Sequence, residues 1–224
     1  MIFKSVWKSF SFDESLPTLI HIFKKEDLSH VKTIEYDPMY VFHFANGLST
    51  QDKIHLQYCR YGREAAKRVV NSLNGFDQLV QGKGHLVNES PLEEMEIDLR
   101  NFKIKTESFE ECGEFLVCED KEVGREWRYS YVPVSGRENR QQVTSLGRFD
   151  RHQKQWTIKK MGDNVDVGEP CIIRTDKQMY LLTVVNEPGN TYVELVEGGN
   201  LETVCRINLP EQVPYGFHGK WSAN

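Results

Sequence analysis

Two histidines and two glutamates stand in surroundings where a polar side chain needs a partner. His43 lies in YVFHFANG among apolar and aromatic residues, and its face neighbours on a strand would be Val41 and Ala45. His218 lies in VPYGFHGKW, between Phe217 and Gly219, in a segment whose glycines allow close backbone approach. An imidazole in such a segment is costly unless something satisfies it. Glu114 in CGEFLV and Glu169 in DVGEPCII raise the same question, because single glutamates are rarely buried unpaired. Taken singly, each histidine reads as a hydrogen-bonded core residue or as a ligand, and each glutamate as a buried partner or as a turn residue facing water. The seven histidines, His21, His30, His43, His55, His85, His152 and His218, never fall within five residues of one another, so none forms a local chelating pair. Cys112 and Cys118 are separated by five residues, which is not a usual zinc spacing. There is no G-x-x-x-x-G-K-[ST] phosphate loop, no G-x-S-x-G nucleophile elbow and no H-E-x-x-H zinc helix.

The elements that must position these residues are mostly strands. From Asp37 onward apolar residues recur at period two, the mark of half-buried strands. In KIHLQYCRY, Ile54, Leu56 and Tyr58 share one face, and His55, Gln57 and Cys59 the other. EEMEIDLRNFKIKT reads as a hairpin turning near Arg100 and Asn101, and REWRYSYVPV and QWTIKKM as further strands. MYLLTVVN is a continuous apolar run, as expected of a fully buried strand. TYVELV and LETVCRINL flank Gly198-Gly199-Asn200, whose glycines would supply the positive φ of a tight turn. One stretch differs: in GREAAKRVVNSLNG the apolar residues Ala65, Ala66, Val69, Val70 and Leu73 fall at helical spacing and Asn74-Gly75 supplies a stop, predicting a short amphipathic helix. Residues 76–91 have no sustained period and read as a long connection. Strands at roughly ten-residue intervals predict an all-β sandwich, barrel or propeller.

The chain has 224 residues, 28 Lys+Arg against 33 Asp+Glu and 39% hydrophobic residues, enough to bury a sizeable core. A net charge of −5 offers no basic field for a phosphate backbone, so no nucleic acid is expected as partner; the only basic cluster is Arg60, Arg63, Lys67 and Arg68. Five scattered cysteines fit a reducing compartment, no apolar run spans a membrane, and the N-terminus lacks the apolar core of a secretory signal. A cytoplasmic protein is the expectation.

The strings YDPMYVFHFANG, SLGRFDRHQKQWTI, DVGEPCII and LPEQVPYGFHGKW, in this order, resemble the C-terminal half of the carotenoid cleavage oxygenases, the family of apocarotenoid and lignostilbene dioxygenases and the retinoid isomerase of the eye. The resemblance runs from about Leu16 to Trp221. It implies a seven-bladed β-propeller with Fe(2+) on its axis, held by four histidines and backed by glutamates. Carried over, His43 matches the third histidine ligand and His218 the fourth. Glu114 matches the glutamate of the family's E-F-P string, here E-F-L, and Glu169 that of the G-E-P string. A carboxylate accepting the distal N–H would fix each ring's tautomer and orientation. The implied reaction is oxidative cleavage of a carbon–carbon double bond of a carotenoid, apocarotenoid or stilbene-type substrate by dioxygen, in an apolar tunnel. Phe42, Phe44, Tyr215 and Phe217 would contribute near the site or pack the core.

A seven-bladed propeller needs roughly 280 residues at about 40 per blade. Residues 1–224 are therefore expected to be the C-terminal portion of such a domain, a partial propeller of about four to five blades with one short helix. No string in residues 1–42 matches a ligand, and His21 and His30 are not promoted to that role. The expectation is an N-terminally incomplete chain, the first two histidine ligands being supplied upstream or by another chain. The alternative is a non-catalytic remnant binding an apolar ligand or a protein partner. Extraction of so apolar a substrate implies peripheral membrane association through a surface patch.

Overall fold

The computed structural model describes residues 10–74, 88–136, 142–214, 216 and 218–222. The long connection expected over 76–91 falls largely outside these residues, as do Tyr215 and Phe217. The chain opens with an antiparallel pair, β1 (Thr18–Phe23) and β2 (His30–Tyr36). Two-residue strands β3 (Met39–Tyr40) and β6 (Tyr61–Gly62) pair with each other. Between and beyond them, β4 (Phe44–Ser49), β5 (Lys53–Cys59), β7 (Pro91–Asp98) and β8 (Ile104–Cys112) form a four-stranded antiparallel sheet in the order β4-β5-β7-β8. Next come β9 (Tyr129–Ser135), β10 (Val143–Asp150) and β11 (Gln155–Lys160), a three-stranded antiparallel sheet. The last sheet holds β12 (Asp166–Val167), β13 (Cys171–Arg174), β14 (Met179–Glu187), β15 (Asn190–Glu197) and β16 (Thr203–Asn208), with β12 and β13 both on β14.

Successive sheets stack face to face, and apolar side chains fill the spaces between them. The β1–β2 pair lays Ile20, Ile22, Ile34 and Tyr36 against Tyr58, Met95 and Ile97 of the four-stranded sheet. Cys59 and Leu92 of that sheet meet Val132, Val134 and Phe149 of the three-stranded one. Tyr131 and Leu146 meet Leu181, Val185, Tyr192 and Val196 of the last. A middle sheet is therefore covered on both faces. Gln57 and Cys59 are consequently as buried as Tyr58, where period-two alternation alone expects one wet face. The buried amide of Gln57 is satisfied across the stack: Trp127 Nε1 donates to its oxygen at 3.4 Å, as does the Ser130 hydroxyl, and its own nitrogen donates to Glu94 at 3.0 Å.

The one α-helix among the described residues, α1 (Arg63–Asn74), follows its predicted stripe: Ala66, Val69, Val70 and Leu73 are buried, and Arg63, Lys67 and Arg68 lie outside with Glu14 and Glu89 as partners. No helix among the described residues is long and apolar enough to cross a membrane. Two local expectations are corrected. MYLLTVVN, in β14, alternates between buried Leu181, Thr183 and Val185 and half-buried neighbours rather than being covered on both faces. In the β15–β16 turn the positive φ falls on Leu201 (61°), not on the glycines. A Cβ on Gly198 would meet the movable end of the Met179 side chain.

Candidate metal centre

His43 sits not within a strand, as its apolar neighbours suggest, but in the short gap between β3 and β4. The β4–β5 register shifts between Phe44 and Asn46, and the His43 carbonyl accepts a hydrogen bond from Cys59 N at 3.4 Å. Such irregularities re-aim a side chain at the end of a strand. Asn46 fixes the irregular strand from the other side: its amide nitrogen donates to the carbonyls of Glu122 and Arg125, and its oxygen accepts from Gly47 N and Gly124 N.

Glu114 reaches His43 because the chain after β8 runs tightly along β9. Gly113 bridges to Val134 and Val117 to Tyr131, and Glu114 N donates to Pro133 O at 3.3 Å. A Cβ on Gly113 would lie 2.6 Å from Pro133 O and closer still to Val132, so only glycine permits this approach. The buried Glu114 then accepts from His43 Nδ1 at 2.7 Å. Burial holds the Glu114 carboxyl above the usual carboxylate range, and the bond from His43 opposes that shift. Tyr61 lies close by, and burial, with the Glu114 charge second, pushes its hydroxyl well above the usual tyrosine range.

Glu169 occupies the turn between β12 and β13, anchored by Gly168 N on Val184 O at 2.8 Å and by the Thr183 hydroxyl on Gly168 O at 2.8 Å. It meets the segment after β16: Gly219 N donates to one carboxylate oxygen at 3.0 Å, and His218 Nδ1 lies 3.3 Å from both oxygens. The His218 side chain is 61% exposed, against 24% for His43.

The two pairs, drawn from positions 43, 114, 169 and 218, converge. The His43 and His218 ring centroids are 5.2 Å apart at 71°. Each ring has its Nδ1 against a carboxylate, so each keeps Nε2 for another partner. That donor type is compatible with iron: an imidazole with a carboxylate behind it is a ligand iron accepts. Among the described residues no group of three or more His, Cys, Asp or Glu could hold a metal ion. Cys112 and Cys118 form no disulfide among the described residues. His21 and His30 lie elsewhere, on the β1–β2 pair, each against the Thr33 hydroxyl.

Phe42 packs edge-on against Tyr61 with a centroid separation of 5.5 Å and lies 6.3 Å from the His43 ring. Phe44 faces away into an open apolar groove of about 320 Å³ with Leu19, Ile20, Met39, Val41 and Tyr58. Sequence reasoning missed Gly113 and Phe115. A glycine directly before a chemically suspect glutamate was a readable signal for the first. Phe115 gave none, because its importance lies in a backbone angle and in contacts with rings distant in sequence.

The chain is 25% identical over 240 residues to carotenoid 9,10(9',10')-cleavage dioxygenase 1 of Pisum sativum, covering 93% of this chain and 42% of that one. It is 22% identical to the chloroplastic carotenoid cleavage dioxygenase 8 of Arabidopsis thaliana, over 90% of this chain and 38% of that one. Its fold matches a cobalt-substituted Synechocystis ACO with a TM-score of 0.78 at 17% identity, covering 96% of this chain and 46% of the other. An ACO/RPE65 chimera matches with a TM-score of 0.80, also at 17% identity, over 97% and 46%. The chain thus spans less than half the length of the relatives it matches. The model of the RPE65 family, described as retinal pigment epithelial membrane protein, matches residues 2–223, and the chain belongs to that family, which includes the carotenoid cleavage dioxygenases.

Proposed function

We propose that this chain provides the His43 and His218 half of a four-histidine ferrous site in a dioxygenase that splits a double bond of a carotenoid, apocarotenoid or stilbene-type substrate into two carbonyl products. The observation that carries this reading is the convergence of two imidazoles, each turned by its own carboxylate so that Nε2 stays available. Iron(II), when bound, supplies the activation of dioxygen. Glu114 and Glu169 keep the proton on Nδ1 and fix each ring plane. Phe42, packed on Tyr61 and Tyr40, keeps water from the buried side of His43. The remaining two imidazoles come, in this reading, from polypeptide outside these 224 residues. In this reading the three larger sheets and the β1–β2 pair would be blades of a partial propeller. The outer face of β1, with Leu19 and Phe23 half exposed, is where the preceding part would pack.

The test is oxidative cleavage by the protein isolated from its own cells under non-denaturing conditions, given iron(II), oxygen and an apocarotenoid or stilbene in detergent. Mass spectrometry should find paired carbonyl products that disappear in His43→Ala and His218→Ala. Persistent cleavage in both variants would refute the assignment. The second reading, a non-catalytic binder of apolar ligands, draws on the open groove around Phe44. It predicts stoichiometric retention of the polyene with no carbonyl product.

A further inference from the structure

Five non-glycine residues among those described have a left-handed backbone: Leu28, Phe102, Phe115, Lys154 and Leu201, with φ between 53° and 61°. Leu28 lies in the β1–β2 turn, Phe102 in the β7–β8 turn, Lys154 in the β10–β11 turn and Leu201 in the β15–β16 turn. Hairpin turns commonly place a residue there. Phe115 is the exception, since it lies in the stretch passing from β8 to β9, between the bridges at Gly113 and Val117. Such a conformation is unfavourable for an aromatic residue and persists only where its surroundings fix it.

What this backbone achieves is visible in its contacts. Phe115 N donates at 3.2 Å to Glu114 Oε2, the same oxygen that accepts from His43 Nδ1. The Phe115 ring lies 4.7 Å from the His43 ring at 34° and 5.6 Å from the His218 ring at 72°. The two imidazoles are held by different carboxylates, Glu114 after β8 and Glu169 between β12 and β13, and no hydrogen bond among the described residues links the two pairs. We propose that Phe115 is a positioning residue, and that its left-handed backbone lets one dipeptide, Glu114-Phe115, both orient His43 and set the angle between the His43 and His218 rings. The inference rests on the proposed metal role of those histidines for its purpose, but not for its geometry.

The experiment uses the 224-residue chain, Phe115→Gly, Phe115→Leu and Phe115→Tyr. Glycine keeps the backbone conformation and removes the ring, leucine keeps apolar bulk without a plane, and tyrosine is the conservative restoration. The readouts are ring-to-ring nuclear Overhauser effects between His43 and His218 in the metal-free chain, and cobalt(II) titration followed by visible absorption. Wild type and Phe115→Tyr should show the cross-ring effects. Phe115→Gly and Phe115→Leu should lose them and bind cobalt(II) about 10-fold more weakly, as loss of a group supporting a ligand does. Retained cross-ring effects in Phe115→Leu, or cobalt(II) affinity within twofold of wild type, would overturn the proposal, and Phe115→Leu decides it even if the glycine variant does not fold. If wild type takes up no cobalt(II), as two of four imidazoles allow, the metal-free spectra decide the role of Phe115, and cross-ring effects retained in Phe115→Leu overturn it.

Discussion

Glutamine at position 114 separates a ligand-supporting carboxylate from one that merely fills the core. The Glu114 side chain is 10% exposed and accepts from His43 Nδ1 at 2.7 Å, a geometry that glutamine can keep through its own carbonyl oxygen. A hydrogen bond to a charged group contributes about 1.5–3 kcal/mol and a neutral one about 0.5–1.5, so the substitution removes roughly 1 kcal/mol from this bond. The opposing effect is burial, which already holds the Glu114 carboxyl above its usual range, so that ionised Glu114 carries a desolvation cost that an amide escapes. The two effects nearly cancel. Glu114→Gln should change stability by no more than about 1 kcal/mol, or roughly 2–4 °C in Tm for a chain of this size. The effect on a metal ion is not offset in this way, because a neutral amide no longer backs the ligating ring as a carboxylate does. Loss of such a partner costs about 10- to 100-fold in affinity, or roughly 1.4–2.8 kcal/mol. Circular dichroism melting and cobalt(II) titration on the same sample check both numbers. A melting point lowered by more than about 10 °C with unchanged metal affinity would mean that Glu114 is a structural carboxylate, and the reasoning would fail.

Two further substitutions test how the scaffold sets the site. Gly113→Ala forces a methyl group against Pro133 O and Val132, and overpacking of this kind costs about 1–3 kcal/mol; urea unfolding should show it, and a neutral result would mean that the chain beside Glu114 yields easily. Burial raises the pKa of Glu93, with the Tyr58 hydroxyl bond at 2.6 Å opposing the shift. A raised folded pKa means that the stability associated with the protonated form is complete below the unfolded value near 4.5 and is lost as pH rises through the folded value. Glu93→Gln should therefore gain on wild type between pH 4 and pH 7 in melting experiments, and a constant difference across that range would contradict the sign.

The helix over Arg63–Asn74 and the β7–β8 hairpin were legible because one periodicity dominates each, helical for Ala66, Val69, Val70 and Leu73 and two-fold for Met95 and Ile97. The strand around Gln57 was legible in kind but not in burial, since only the stacking of a third sheet covers its second face. The four site residues stood out as polar groups in apolar strings, yet nothing local joined positions 43, 114, 169 and 218. Their meeting is a product of topology: two come from irregular chain beside inner strands, one from a turn and one from the segment beyond β16. The break at His43 was not legible, because a register shift leaves no mark on the order of apolar residues. The left-handed Phe115 was equally silent, since nothing in the identity of a phenylalanine reports its φ.

The most direct measurement is a cobalt(II) titration of the chain labelled with nitrogen-15 at histidine, followed by the ring signals of each residue. His43 and His218 should shift or broaden together, with one midpoint and through Nε2, while the signals of His21, His30, His55 and His152 stay in place until much higher concentration. Perturbation of only one of the two, or separate midpoints, would mean that these imidazoles do not share an ion, and the proposed metal centre would be wrong.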